Sequence, residues 1–205
     1  LNLGGGLGIR YLPDDRITPV ETFAEEITTA LHDGLARRHL PLPRLMLEPG
    51  RSIVGEAGVT LYTVGTIKDV PVDEPPGTRL YAAIDGGMSD NPRPQLYDAA
   101  YTAFLANRPI DSADTEVRIA GKHCETDILI QSVLLPRPRA GDLLAVPSTG
   151  AYTYSMASNY NRFPRPAAVF VQDGQARLVV RRETLADLIR QDVLADTSAT
   201  MRRGN

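Results

Sequence analysis

Cysteine, lysine, basic clusters and long apolar runs are all scarce in this chain. A single cysteine, Cys124, excludes an internal disulfide and any Cys-based zinc cluster. No apolar run approaches the ~18 residues that a membrane-spanning helix needs. A formal net charge of -3 without a basic patch argues against nucleic acid and anionic membrane surfaces as partners. Lysine is confined to Lys68 and Lys122, so any lysine chemistry within the chain rests on those two. What remains is the composition of a globular protein, 42% hydrophobic and 23% charged, whose 205 residues suit one large domain or two small ones. The poverty in cysteine fits a reducing compartment, and a cytoplasmic location is expected. The opening Leu1-Asn2-Leu3-Gly4 reads as the middle of a strand–loop unit with no initiator methionine. We therefore expect the natural protein to extend upstream of residue 1.

The stretch that organises the rest is Arg44-Leu45-Met46-Leu47-Glu48-Pro49-Gly50-Arg51. Its apolar run reads as a buried strand, and Pro49-Gly50 stops it. Glu48 and Arg51 are left at the strand's C-terminal rim, where α/β sheets keep their ligand sites. A salt-bridged strand end is the plainer alternative. Upstream, Leu1-Asn2-Leu3 runs into Gly4-Gly5-Gly6-Leu7-Gly8, a loop whose amides can surround a phosphate or simply make a tight turn. It is neither a Walker A loop nor a clean dinucleotide fingerprint. Thr18, Pro19 and Glu21 predict a capping box opening a helix that runs to about Arg38, with Val20, Phe23, Ile27, Leu31 and Leu35 on one face. His32 and His39 near its end have no partner ligands at metal spacing and are expected at the surface; no metal site is expected. The first 48 residues thus read as a parallel β-loop-α-β unit.

Beyond Gly58 the pattern changes to strands, expected over 59–70, 79–84, 116–120, 128–134, 143–147, 167–172 and 176–181. Residues 73–77 read as a turn, Asp173-Gly174 as a hairpin turn, and 95–105 and 183–189 as helices. The tail over 196–205 reads as frayed.

Three loops carry candidate chemistry. In Asp85-Gly86-Gly87-Met88-Ser89-Asp90-Asn91-Pro92-Arg93-Pro94, two prolines restrict the backbone about Arg93, presenting it for bidentate carboxylate binding. Tyr97 can add a hydroxyl on the same side. The alternative is a rigid loop in which Arg93 pairs with Asp85 or Asp90. In Lys122-His123-Cys124-Glu125-Thr126-Asp127 the only thiol lies between a histidine and an acid, as a proton donor, a nucleophile or a small buried apolar group. The run from Ser148 to Asn161, crowded with hydroxyls and amides, suits a polar ligand or a capped surface helix.

Taken in order, Gly4-Gly5-Gly6-Leu7-Gly8, Glu48-Pro49-Gly50-Arg51, Asp85 through Pro94, His123-Cys124-Glu125 and Gly150-Ala151-Tyr152 resemble the fold type III pyridoxal-phosphate enzymes, specifically the diaminopimelate decarboxylases. The resemblance covers nearly the whole chain. It implies α/β plus β architecture: the last units of a (β/α)8, alanine-racemase-like barrel over residues 1–57, then a mainly-β C-terminal domain over 58–195. It implies decarboxylation of meso-2,6-diaminopimelate to L-lysine, with pyridoxal 5'-phosphate as cofactor and a homodimer with shared sites as the assembly. Gly4, Gly5, Gly6, Glu48, Gly50, Arg51 and Tyr152 would bind cofactor, with Glu48 at the pyridine nitrogen. Arg51, Arg93, Tyr97, Glu125 and Tyr152 would bind substrate, and Cys124 would be the proton donor. The glycine loop and Glu-Pro-Gly-Arg are shared with ornithine and arginine decarboxylases, so a relative acting on another basic amino acid, or a non-catalytic truncated homologue, is the alternative. Two departures stand out. The family carries a residue, commonly Gly, between the positions of Thr126 and Asp127 that this chain lacks. The family's Schiff-base lysine lies upstream of residue 1, and neither Lys68 nor Lys122 matches it, so the chain as given should not turn over substrate.

Overall fold

A computed structural model describes residues 1–73 and 76–193. The expected frayed tail over 196–205 and the centre of the 73–77 turn lie outside the described residues. The chain divides into two compact units, 1–157 and 158–205.

In the first unit the opening residues and residues 44–48 run parallel. They are joined by an Asn2–Met46 bridge and by bonds from the Met46, Leu3 and Glu48 amides to the Leu1, Met46 and Gly4 carbonyls at 2.9, 3.1 and 2.7 Å. The expected strands are reduced to this short ladder. Between them lies helix α1, Val20–Ala36. It does not open on a capping box: Pro19 occupies the N-cap with no side-chain bond, which leaves Glu21 to complement the helix dipole from the first turn. It closes in a Schellman pattern, with Leu40 N bonding Leu35 O, His39 N bonding Ala36 O, and His39 taking the left-handed turn at φ 50°. His32 and His39 are exposed. No residue of α1 is buried. A single turn, α2 (Arg51–Val54), follows the Pro-Gly break.

The remainder of this unit is one six-stranded sheet. Its strands are β1 (Val59–Asp73), β2 (Pro76–Ile84), β3 (Phe104–Leu105), β4 (Thr115–Ala120), β5 (Ile128–Leu135) and β6 (Leu143–Pro147), in the order β3-β6-β1-β2-β4-β5. The 15-residue β1 serves two neighbours: Val59–Thr63 pairs with β6, and from Val64 onward, with an irregularity between Val64 and Ile67, the strand pairs with β2. Helix α3 (Arg93–Tyr97) is a single turn where a helix to 105 is expected. Asp98 enters the left-handed region at φ 50° and ends it, and Phe104–Leu105 instead pairs with β6. Apolar character at 99–105 therefore serves burial of Tyr101, Ala103 and Leu105 rather than a helix face. The core cluster lies entirely between Tyr62 and Val146, with Ala82, Val117, Ile119, Leu144 and Val146 fully inaccessible. Each large aliphatic buried there stabilises by about 1.5–3 kcal/mol.

The pairing directions decide where the loops go. Strands β2 and β6 both run antiparallel to β1, and β4 runs parallel to β2. Hence β2, β4 and β6 end at the same edge of the sheet, and the loops over 85–92, 121–127 and 148–153 leave it together.

The second unit holds the hairpin β7 (Ala168–Gln172) and β8 (Gln175–Val180) and the short α4 (Leu185–Ile189). Asp173 and Gly174, with φ of 50° and 73°, form the expected turn. Thr184 and Asp187 form a capping box at α4. Arg165 bonds Glu183 through Nε and Nη2 at 2.9 and 2.6 Å, which draws the Glu183 pKa down to about 2.

Candidate active site

Polar residues are expensive to bury, so their distribution marks the place where the fold spends stability on something else. Among the described residues nine polar or charged side chains are buried, and all but Asp142 lie on the three loops of the common edge or on α3 and the turn after Tyr152.

Residues 5–7, residues 48–52 and Tyr152 line a cavity of about 350 Å³. The parallel ladder puts the glycine loop beside Glu48, and Gly5 is needed because a Cβ there would stand 2.5 Å from the Glu48 carbonyl oxygen. Asn2 ties the corner together: its Nδ2 donates to Glu48 Oε1 at 2.5 Å and its Oδ1 accepts from Gly4 N at 2.8 Å. Arg51 Nη2 donates to Leu7 O at 3.4 Å. Tyr152 reaches the cavity from the third loop. Its φ of 59° is a conformation costing about 1–2 kcal/mol for a residue with a Cβ. The loop is held around it by Thr149 N to Gly58 O at 3.0 Å, Gly150 N to Gly55 O at 2.9 Å and Thr153 Oγ1 to Thr149 O.

The structure therefore brings together Gly5, Gly6, Glu48, Gly50, Arg51 and Tyr152. Gly4 lies beside the cavity with its amide given to Asn2. Arg93 lies outside it, buried, and pairs with neither Asp85 nor Asp90. Its Nη1 donates to the hydroxyls of Tyr11 and Tyr101 at 2.7 and 2.8 Å, and its guanidinium stands 4.8 and 5.8 Å from their ring centroids. Burial acts to lower the Arg93 pKa, but the two tyrosine oxygens outweigh it and the net direction is upward. Burial raises Tyr101. Tyr11 is fixed in turn by Asp15, whose Oδ2 accepts from the Tyr11 and Leu12 amides. Tyr97 ends α3 and is exposed. Cys124 is exposed too, which removes the small-buried-residue alternative, and Glu125 is exposed beside it. Neither lines the cavity. Lys68 is exposed on β1, and Lys122 Nζ donates to Asp85 O at 2.8 Å.

Asn2, Tyr11 and Tyr101 were not legible as site residues. Asn2 is one polar residue in a strand of three, and the tyrosines sit in loops where no periodicity singles them out. A larger cavity, about 480 Å³, lies beside Arg108 and residues 136–139. Two of its three arginines are committed: Arg108 to Asp111 and Asp142, Arg137 to Asp69. It is a surface ion-pair network.

A glycine-floored cavity beside a carboxylate, a guanidinium and a phenol, at the common edge of a six-stranded sheet, defines a class. The family described as "Pyridoxal-dependent decarboxylase, C-terminal sheet domain" matches residues 15–150, and the chain belongs to it. Within that family the similarity is to diaminopimelate decarboxylases. That of Bacillus subtilis is 53% identical over 94% of this chain and 43% of its own length. That of Synechocystis is 50% identical over 95% of this chain and 40% of its own length. A solved diaminopimelate decarboxylase from M. jannaschii superposes with a TM-score of 0.84 at 37% identity, covering 95% of this chain and 43% of that one. The chain thus spans well under half the length of these relatives.

Among the described residues no helix is long and apolar enough to cross a membrane.

Proposed function

We propose that this chain is the C-terminal portion of a pyridoxal-phosphate-dependent carboxy-lyase that converts meso-2,6-diaminopimelate to L-lysine. In this reading residues 1–57 are the last units of a (β/α)8 barrel and 58–195 the β-domain that carries substrate and interface loops. The carrying observation is the cavity that unites residues 5–7, residues 48–52 and Tyr152. The residues fit the cofactor: two glycines without side chains, a guanidinium and a phenol suit a phosphate monoester, and a single carboxylate suits a protonated ring nitrogen.

Bound there, pyridoxal phosphate would supply the electron sink for the carbon that loses carbon dioxide. Gly5, Gly6, Gly50, Arg51 and the Tyr152 hydroxyl would hold the phosphate end, with Gly4, its amide tied to Asn2, setting the course of the loop. Glu48, oriented by Asn2, keeps a proton on the pyridine nitrogen. Arg51, Arg93, Tyr97 and Tyr152 bind substrate carboxylate, and the tyrosine clamp holds Arg93 still at low entropic cost. Cys124 and Glu125 are exposed and do not line their own cavity, so in this reading a homodimer brings them to the partner's site, Cys124 to donate a proton to carbon and Glu125 to contact the distal amino acid centre. A cytoplasmic location belongs to the same reading and is supported by the family alone. Neither Lys68 nor Lys122 stands at the cavity, so the lysine that holds the cofactor is supplied from outside residues 1–205, and the chain alone is inactive.

The test uses the full-length gene product. A visible absorption band that borohydride abolishes, with carbon dioxide released from meso-diaminopimelate and not from ornithine or arginine, is the expected result. Release from ornithine or arginine instead would reassign the substrate. No band and no release would make the protein a non-catalytic homologue.

A further inference from the structure

We infer that Asp127, with His123, is a positioning residue that fixes the shortened Cys124 loop and locks it to the loop carrying Arg93. The inference rests on the reading that Cys124 and Glu125 serve a decarboxylase site. It starts from the residue the motif lacks. With one residue fewer between Thr126 and Asp127 than the family pattern, Asp127 need not have kept its place, yet it is among the most buried charges described, at 3% exposure.

Its bonds explain why. Asp127 Oδ1 accepts from Met88 N at 2.9 Å, and Oδ2 faces His123 Nδ1 at 2.5 Å and accepts from His123 N at 3.3 Å. Its main chain closes the same loop: Gly121 N donates to Asp127 O and Asp127 N donates to Glu125 O, both at 2.7 Å. Cys124, Glu125 and Thr126 are therefore an exposed excursion of three residues whose feet are both held by one aspartate. The bond to Met88 carries the restraint across to the 85–92 loop, and Lys122 adds two more ties, its amide to Gly86 O at 3.0 Å and its Nζ to Asp85 O. The backbone is shaped for this carboxylate. A Cβ on Gly87, whose φ is 149°, or on Gly121 would overlap Asp127 Oδ2. A buried carboxylate wrapped by two amides and an imidazole sets a loop's position as a whole, because no alternative placement keeps its acceptors paired.

The substitution that isolates this role is Asp127→Asn in the full-length protein, nearly isosteric but offering an amide where Met88 N, His123 N and the His123 ring present donors. The readouts are the alkylation rate of Cys124, followed on its peptide by mass spectrometry, and the split between kcat and KM. The expected result is a Cys124 alkylation rate raised about tenfold, the size of a lost hydrogen bond to a charged group. With it, kcat falls more than KM rises, because loop placement matters to proton donation more than to binding. Should Asp127→Asn fail to fold, His123→Leu and His123→Asn make the same test: the first loosens the loop, and the second, whose amide nitrogen stands where Nδ1 does, restores the wild-type alkylation rate. Wild-type alkylation rate and kcat in Asp127→Asn, or equal rates in the two His123 variants, would overturn the inference. A wild-type protein that releases no carbon dioxide would instead overturn the decarboxylase reading, and the alkylation rates would still report on the anchor.

Discussion

Residues 1–57 and the sheet that follows are built on opposite economies. The first segment has regular structure, a 17-residue helix and a parallel ladder, yet Ile9 and Gly55 are its only buried residues. The sheet encloses every member of the core cluster. An apolar helix face at Phe23, Ile27, Leu31 and Leu35 with nothing buried on it is a surface that needs a cover, and in the proposed barrel its neighbours provide it. The glycine loop and Glu48 sit on this thinly packed segment, while Tyr152 and the Arg93 loop come from the well-packed sheet edge. The site is thus assembled at the junction, and its geometry depends on the sheet to hold the segment through Tyr11, Arg10 and Gly55.

The sharpest way to break this contrast is truncation in the core. Leu144→Ala should cost about 2–5 kcal/mol in denaturant melts, while Val20→Ala in the 205-residue chain should stay within about 0.5 kcal/mol. If Val20→Ala costs several times more in the full-length protein than in this chain, the missing cover is located on α1. Equal small costs in both would place the apolar face at a true surface. Glu48→Gln sharpens the contrast from the other side, lowering kcat of the full-length protein by about 10²–10³-fold with little change in stability, because Glu48 is exposed in this structure and buries nothing. A melting temperature that collapses along with activity would show Glu48 to be structural. Tyr101→Phe probes the junction itself. It removes one of the two oxygens that hold Arg93 while keeping the ring, and should raise KM about tenfold with a smaller change in kcat; an unchanged KM would release the clamp from any role in binding.

The smallest effect belongs to the second unit. The Glu183 pKa is depressed, so the stability its pairing with Arg165 contributes is present above the unfolded value and is lost as pH falls through about 2. The pair is partly exposed, its Arg165 and Glu183 side chains at 41% and 19%, and solvent screening limits its contribution to about 1 kcal/mol. Glu183→Gln should accordingly differ from wild type near neutrality and converge with it between about pH 4 and 2, read from thermal melts across that range. A constant difference across the range would exclude the ion pair as its source.

Local chemistry was enough to read much of this molecule. Strand positions from Val59 onward follow from β-branched and aromatic runs, the Asp173-Gly174 turn from residues that tolerate positive φ, and the corner at Glu48-Pro49-Gly50-Arg51 from a proline and glycine that no strand continues through. Cavity residues that lie within a few positions of such breakers were legible for the same reason. The helix expected over 95–105 fails because apolar spacing does not reveal that Asp98 will turn left-handed or that Phe104–Leu105 will find β6. The Thr18 capping box fails because a favourable cap sequence does not oblige the side chain to turn toward the helix.

By itself the sequence determined helix α1, most strands of the sheet, the Asp173-Gly174 turn and which residue types could meet a phosphate, a ring nitrogen or a carboxylate, since these depend on neighbours a few positions away. Only the tertiary structure decided that β2, β4 and β6 end at one edge, that Arg93 lies between Tyr11 and Tyr101, and that Asp127 holds the Cys124 loop to Met88. The Met88–Asp127 and Tyr11–Arg93 bonds join residues 39 and 82 positions apart, and they are set by strand direction and by the need of each buried charge for partners, neither of which is written in any local stretch of chain.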